Sequence, residues 1–137
     1  AEEFIDALVA AAEGYSVGDG RHEGTVLGPL VDERQRELIR NHVVDAVERG
    51  ATVRTGGAVP EGKGFFYPPT VLTEVDESML VMTEETFGPI APIVVVDSFE
   101  EGLGRESRSR FGLAATVFTR DPEHAAAAAR IPAGVTW

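Results

Sequence analysis

The nine residues MTEETFGPI, Met82 to Ile90, combine residue types that could bind a ligand containing a sugar and a planar ring. Two adjacent carboxylates end at Glu85, Phe87 follows two positions later, and a Gly88-Pro89 pair comes next. A carboxylate can accept hydrogen bonds from two neighbouring ribose hydroxyls, and an aromatic ring can cover a planar ring. If the segment is extended, Glu85 and Phe87 point to the same side. Glycine and proline would then turn the chain without a bulky side chain in the way.

The same residues have a second, structural interpretation. The segment could form the first turn of a helix, with its acidic residues near the positive end of the helix dipole and Phe87 in the core. Spacing alone favours this structural interpretation over ligand binding. Both remain open at the level of the motif.

Other common types of reactive site are not supported by the sequence. The three histidines lie far apart, and His42 falls on the apolar stripe of a predicted helix, where a packed histidine is expected rather than a ligand. HExxH, P-loop, GxGxxG and GxSxG patterns do not occur. The sequence has no cysteine, which excludes disulfides, thiolate zinc sites and thiol catalysis by these residues. We therefore expect no catalytic residue and no metal ligand within the chain.

Composition narrows the class of protein further. The 137 residues, 43% of them hydrophobic, match one globular domain. A net charge of −11 argues against nucleic acid or an anionic membrane as a partner. No apolar run approaches the roughly 20 residues that cross a bilayer, and no signal peptide opens the chain, so we expect a cytoplasmic protein. Because the chain opens without Met and stops at AGVTW, we also expect it to be truncated at both ends.

Four helices are expected from apolar spacing and end signals. The first covers Phe4 to Ala12 and stops at Gly14. The clearest one starts at Asp32 as N-cap, with Gln35 in capping-box register, and ends at Gly50. Two further helices are expected from Ser98 to about Ser109 and from the Asp121-Pro122 pair onward.

Strands are expected between these helices. They fall on ATVRTGG, TVLTEV, PIVVVD (Pro92 to Asp97), GLAATVFTRD and GVTW, while Ser78 to Val81 is ambiguous. The β-branched run from Pro92 to Asp97 predicts a strand buried on both faces. The alternation of strands and helices predicts an α/β fold with a largely parallel sheet flanked by helices, formed by residues 1–137 as a single domain.

The ordered set of sequence blocks resembles the aldehyde dehydrogenase superfamily. The blocks are EGTVLGPLVDERQ, AVERGATVRTGG, GKGFFYPPTVLTEV, MTEETFGPIAPIVVVDSFEE, FGLAATVFTRD and AGVTW. They occur in the family's order with similar spacing over nearly the whole chain, and the EExFGP block is among the family's most specific signatures. The resemblance implies part of the catalytic domain, without the nucleophilic cysteine, the general-base glutamate and the cofactor-binding domain.

The resemblance also implies roles for individual residues. Glu85 matches the glutamate that binds the ribose on the nicotinamide side of NAD or NADP. Phe87 matches the ring that packs near the nicotinamide, and Leu113 matches a leucine lining the same end of the site. Glu84, Gly88 and Pro89 match the motif in a structural capacity.

The implied activity is oxidation of a small-molecule aldehyde to a carboxylic acid with NAD or NADP. The chain would supply the nicotinamide-ribose side of the cleft and be inactive alone. The resemblance further implies a homo-oligomer in which an arm of one subunit extends the sheet of its neighbour. The alternative is a stand-alone, non-catalytic module that uses the same fold for binding or assembly.

Overall fold

The computed structural model describes all residues from 1 to 137, and the chain divides into two compact units. Unit 1 covers Ala1–Val95 and unit 2 covers Val96–Trp137. Both units contain helices and strands, so the fold is α/β, as predicted. The assignment of all residues to one domain stays a prediction.

Unit 1 contains three helices and three strands. In chain order they are α1 (Glu2–Glu13), α2 (Glu33–Glu48), β1 (Thr52–Thr55), β2 (Thr70–Thr73), α3 (Leu80–Thr83) and β3 (Ile90–Pro92). Strand β2 is central, pairing antiparallel with β1 and parallel with β3. The segment whose structure was ambiguous from sequence thus contributes the short helix α3.

Helix α2 forms where its sequence predicts and packs its apolar stripe into the core. The Asp32 side chain accepts a hydrogen bond from the Gln35 backbone N–H at 2.8 Å, which satisfies one of the open donors of the first turn. Past its last turn, Gly50 adopts φ +106°, a conformation that favours glycine. The buried side chains of α2 are Ile39, His42, Val43 and Ala46.

The core of unit 1 lies between α2 and the sheet. Tyr67, Leu72 and Met79 are among its members, each no more than 1% exposed. Strand β2 is buried along its whole length, and its Leu72 belongs to the same apolar cluster as Ile39 and Val43 of α2. Burial of this apolar surface is the main force that stabilises the unit.

The strand expected at Pro92 to Asp97 was wrong in extent and in burial. Pairing with β2 covers only Ile90–Pro92, followed by one hydrogen bond from Ile93 N–H to Leu72 O. Residues beyond it form no strand, and Val95 is 59% exposed. β-Branched residues favour a strand only where neighbouring strands supply ladder partners, and β2 ends at Thr73.

Unit 2 contains two helices and two very short strands. They are α4 (Phe99–Glu106), β4 (Ala114–Ala115), α5 (Pro122–Ala128) and β5 (Val135–Thr136), with β4 and β5 parallel. Ser98 and Asp121 cap the two helices as predicted, although α4 ends before Ser109. The strand expected over the whole of GLAATVFTRD is reduced to two residues. None of the helices in either unit has the length and apolar composition needed to cross a membrane.

Candidate functional site

Residues 84–89, called here the Glu85 loop, connect α3 to β3 in unit 1. At one end, the Glu84 backbone N–H donates to Leu80 O at 2.8 Å. At the other end, Pro89 O accepts from the Thr70 N–H of the central strand at 2.8 Å. The loop is therefore fixed at both ends by main-chain hydrogen bonds to secondary structure.

The two side chains singled out by the sequence both face solvent. Glu85 is exposed, and 77% of Phe87 is exposed. The acidic pair of the motif follows the end of α3 at Thr83 and begins no helix, and Phe87 is not in the core, so the structural interpretation of the motif was wrong. An exposed ring and an exposed carboxylate two residues apart can contact a planar ring and a pair of hydroxyls.

The backbone of the Glu85 loop is strained at Phe87. Its φ of +46° lies in the left-handed region, which costs a residue with a Cβ about 1–2 kcal/mol. The loop is therefore not a regular extended segment, and the expected alternation of Glu85 and Phe87 does not apply. Backbone strain of this kind persists only where surrounding contacts impose it.

Gln35 supplies two of those contacts. Its side-chain Nε2 donates to the carbonyl oxygen of Thr86 at 2.9 Å and to that of Phe87 at 3.1 Å. The sequence placed Gln35 in a capping box, but its amide group reaches the loop, 51 residues later in the chain. Only the backbone half of the expected box, the bond from Gln35 N–H to Asp32, is present. The sequence signal was correct for the helix start and uninformative about the loop.

His42 and Ile39 hold the loop from the same helix. The His42 ring is 6% exposed, and its Nδ1 lies 3.1 Å from the Thr86 hydroxyl oxygen. Burial lowers the pKa of His42, partly opposed by the carboxylates of Glu84 and Asp45, so the neutral ring is favoured. The sequence predicted a packed histidine here; its bond to the loop was not foreseen.

Gly88 packs directly on the end of the Ile39 side chain. A Cβ built on Gly88 would lie 2.9 Å from Ile39 Cγ1 and closer still to Cδ1. Such distances do not occur in real structures, so a larger residue would have to push the loop or Ile39 aside. The glycine of the motif thus permits close approach of the loop to α2.

Leu113, the third predicted contact, lies in unit 2 just before β4. Its side chain is 90% exposed and therefore available to a ligand. Glu85 and Phe87 lie two residues apart on one loop of unit 1, and their joint contact with a cofactor, like the place of Leu113 beside them, stays a prediction. The geometry by itself supports a two-residue contact surface on a firmly held loop.

Comparisons with known proteins identify the family. The model of the aldehyde dehydrogenase family matches residues 1–137. An aldehyde dehydrogenase of Paenarthrobacter nicotinovorans is 47% identical over 93% of the chain, and that match covers 27% of the relative. The mitochondrial succinate-semialdehyde dehydrogenase of Rattus norvegicus is 43% identical over 82% of the chain and 22% of the relative.

Solved structures give the same result. The NAD+ complex of aldehyde dehydrogenase from Bacillus cereus superposes with a TM-score of 0.93 at 38% identity, over 99% of this chain and 28% of that one. The chain thus spans about a quarter of the length of the relatives that it matches. Since the match covers every residue and the fold agrees, the chain belongs to the aldehyde dehydrogenase family.

Proposed function

We propose that these residues form the nicotinamide-ribose side of the cofactor cleft in an NAD- or NADP-dependent aldehyde dehydrogenase. In this assignment the Glu85 carboxylate accepts hydrogen bonds from the ribose hydroxyls. The Phe87 ring packs near the nicotinamide, and Leu113 lines the same end of the cleft. The observation that carries the proposal is the pair of solvent-facing side chains on a loop whose backbone is fixed by α2.

Fixing the backbone matters because the proposed task is orientation. A cofactor ring must be held at the reacting atoms within a fraction of an ångström, and a mobile contact residue cannot do this. The bonds from Gln35 to two consecutive carbonyls restrain the peptide groups on both sides of Phe87. The strained φ at Phe87 supports the same interpretation, since strain concentrates at ligand-binding sites.

The proposed reaction of the whole enzyme is oxidation of a small-molecule aldehyde to a carboxylic acid. The bound cofactor supplies the hydride acceptor. The residues of this chain bind the cofactor and orient it, and none of them is proposed to make or break a bond with the aldehyde. Because the sequence contains no thiol, the 137 residues alone are proposed not to oxidise aldehydes, and measurable turnover would contradict this.

The test of the cofactor contact is Glu85→Gln in an enzyme of the relatives' full length that carries these residues. Loss of a charged acceptor for the ribose hydroxyls should weaken cofactor binding about tenfold or more and slow hydride transfer. Titration of NADH fluorescence and single-turnover kinetics would measure both effects. Glu61→Gln, which removes the same charge from an exposed loop, is the matched control and should change neither. Equal kinetics in the two variants would refute the assignment.

A homo-oligomer is also proposed, through strand addition at an open sheet edge. Strands β1 and β3 are the two edges of the three-stranded sheet, and each pairs only with β2. We expect the isolated chain to self-associate through such an edge. Light scattering over a concentration series would measure this, and a monomer at the highest concentration would exclude it.

A further inference from the structure

We propose that His42 is a positioning residue for the cofactor contact: through the Thr86 hydroxyl it sets the conformation of the Glu85 loop. This inference deepens the proposed function and rests on it for its functional meaning. The contact itself can be tested without cofactor. His42 touches neither Glu85 nor Phe87 by hydrogen bond; it acts through the residue between them.

The position of Thr86 allows its bond to His42 to affect both proposed contact residues. Thr86 lies between the two exposed contact residues, while its own side chain turns toward α2 and meets His42 Nδ1 at 3.1 Å. Without this bond Thr86 could turn its side chain outward, and the backbone rotation required would redirect the side chains of its two neighbours. The outward direction of Glu85 and Phe87 is therefore coupled to the inward bond of Thr86.

The bonds of Gln35 do not by themselves fix the direction of the Thr86 side chain. Gln35 binds two main-chain carbonyls, which every residue type has, so its bonds are compatible with any side chain at position 86. His42 instead bonds a side-chain hydroxyl, so its hydrogen bond requires Thr or Ser at position 86. The ring is also buried between the core and the loop, where an unpaired ring nitrogen would be costly.

The charged groups around His42 leave the ring suited to this bond. Glu84 on the loop side and Asp45 one turn on in α2 face it electrostatically, and both favour a proton on the ring. Burial opposes them and is the larger effect. A neutral imidazole can accept from the Thr86 hydroxyl or donate to it, and the hydroxyl can rotate to suit either tautomer.

Amide hydrogen exchange of the 137-residue chain tests the contact. The reporters are the amides of Thr70 and Ile90, which are bonded to carbonyls of the loop, Pro89 O and Gly88 O. In His42→Leu these amides should exchange about fivefold faster, as expected for one lost hydrogen bond. The Ala51 amide, bonded to Ala46 O outside the loop, is the reference and should change less.

Matched variants separate positioning from a packing defect. Thr86→Val should reproduce the faster exchange, whereas Thr86→Ser and His42→Asn, which keep a polar partner near the same place, should restore slow exchange. The double variant His42→Leu/Thr86→Val should be no faster than either single one, because both remove one shared bond. His22→Leu makes the same change at an exposed histidine and serves as control.

The outcomes distinguish this inference from the proposed function. Equal acceleration at Thr70, Ile90 and Ala51, or no acceleration in Thr86→Val, would overturn the positioning role. In a full-length enzyme, a rise in the cofactor dissociation constant in Thr86→Val that Thr86→Ser reverses would support it. If Glu85→Gln leaves cofactor binding unchanged while the exchange results hold, the proposed function fails and the contact between His42 and the loop stands.

Discussion

Units 1 and 2 are built from similar elements but differ in what they bury. Unit 1 buries a cluster of nine apolar residues around Ile39 and Leu72. In unit 2 only Ala128 is buried, while Leu113 and Phe118 are at least 90% exposed. Both units have capped helices and paired strands, so local signals are present in each. A core further requires a sheet wide enough to be covered, and two strands of two residues are not.

The difference bears directly on the candidate site. The Glu85 loop is attached to the unit that has a core, and its anchors Gln35, Ile39 and His42 lie on the best-buried helix. Leu113 is attached to the unit without one. We infer that the Glu85 loop is held by the core of unit 1, whereas unit 2 offers the Leu113 segment no such core.

A matched pair of leucine substitutions should show the largest difference in stability between the two units. Leu72→Ala removes a side chain that is fully buried in unit 1 and should lower the free energy of unfolding by about 2–5 kcal/mol. Leu113→Ala makes the identical change at a side chain that is 90% exposed and should cost less than about 0.5 kcal/mol. Urea unfolding followed by circular dichroism measures both. Similar losses in the two variants would mean that the units do not differ as described.

The same contrast explains which features the sequence predicted. Helix starts at Asp32, Ser98 and Asp121 were correct in both units, because an N-cap satisfies donors within a few residues of itself. The strand at Pro92 to Asp97 was not, because its pairing depends on the length of β2, whose residues lie 20 positions before their partners. Strand formation is a property of neighbours, which a local pattern does not contain.

At the candidate site, the residue types were predictable and the anchoring was not. Glu85 and Phe87 stood out by type and spacing, and the family resemblance assigned their roles. No sequence pattern predicts the left-handed φ of Phe87, because it falls on a residue with a Cβ rather than on glycine. The bonds from Gln35 and His42 join positions more than 40 residues apart, and either residue has a sufficient local explanation within α2.

Adding a methyl group between Gly88 and Ile39 tests how unit 1 holds the Glu85 loop. Gly88→Ala places a methyl group against the end of Ile39 and should cost about 1–3 kcal/mol by overpacking. In an Ile39→Val background, which removes Cδ1, the added cost should be smaller. Gly20→Ala is the control, because a Cβ there meets nothing within 4 Å. Additive losses in the double variant would show that the two groups do not compete for space.

The smallest expected effect is a pH dependence of unit 1 that arises from His42. Burial lowers its pKa in the folded state below the ordinary value of 6.5, while Glu84 and Asp45 offset part of the shift. The unfolded chain therefore binds a proton first as pH falls, and the free energy of unfolding should decline from about pH 6.5 down to the folded pKa. Above pH 6.5 the ring is neutral in both states and contributes no slope.

The variant His42→Asn should flatten this part of the stability curve. Carboxylates held by hydrogen bonds, such as Asp45 and Glu101, have lowered pKa values and lose their stabilising effect only at more acidic pH, so the two windows can be separated in one titration. If the free energy of unfolding had the same slope between pH 7 and 5.5 in the wild type and in His42→Asn, the buried ring would not contribute to the pH dependence. The anchoring of the loop would then be independent of pH in this range.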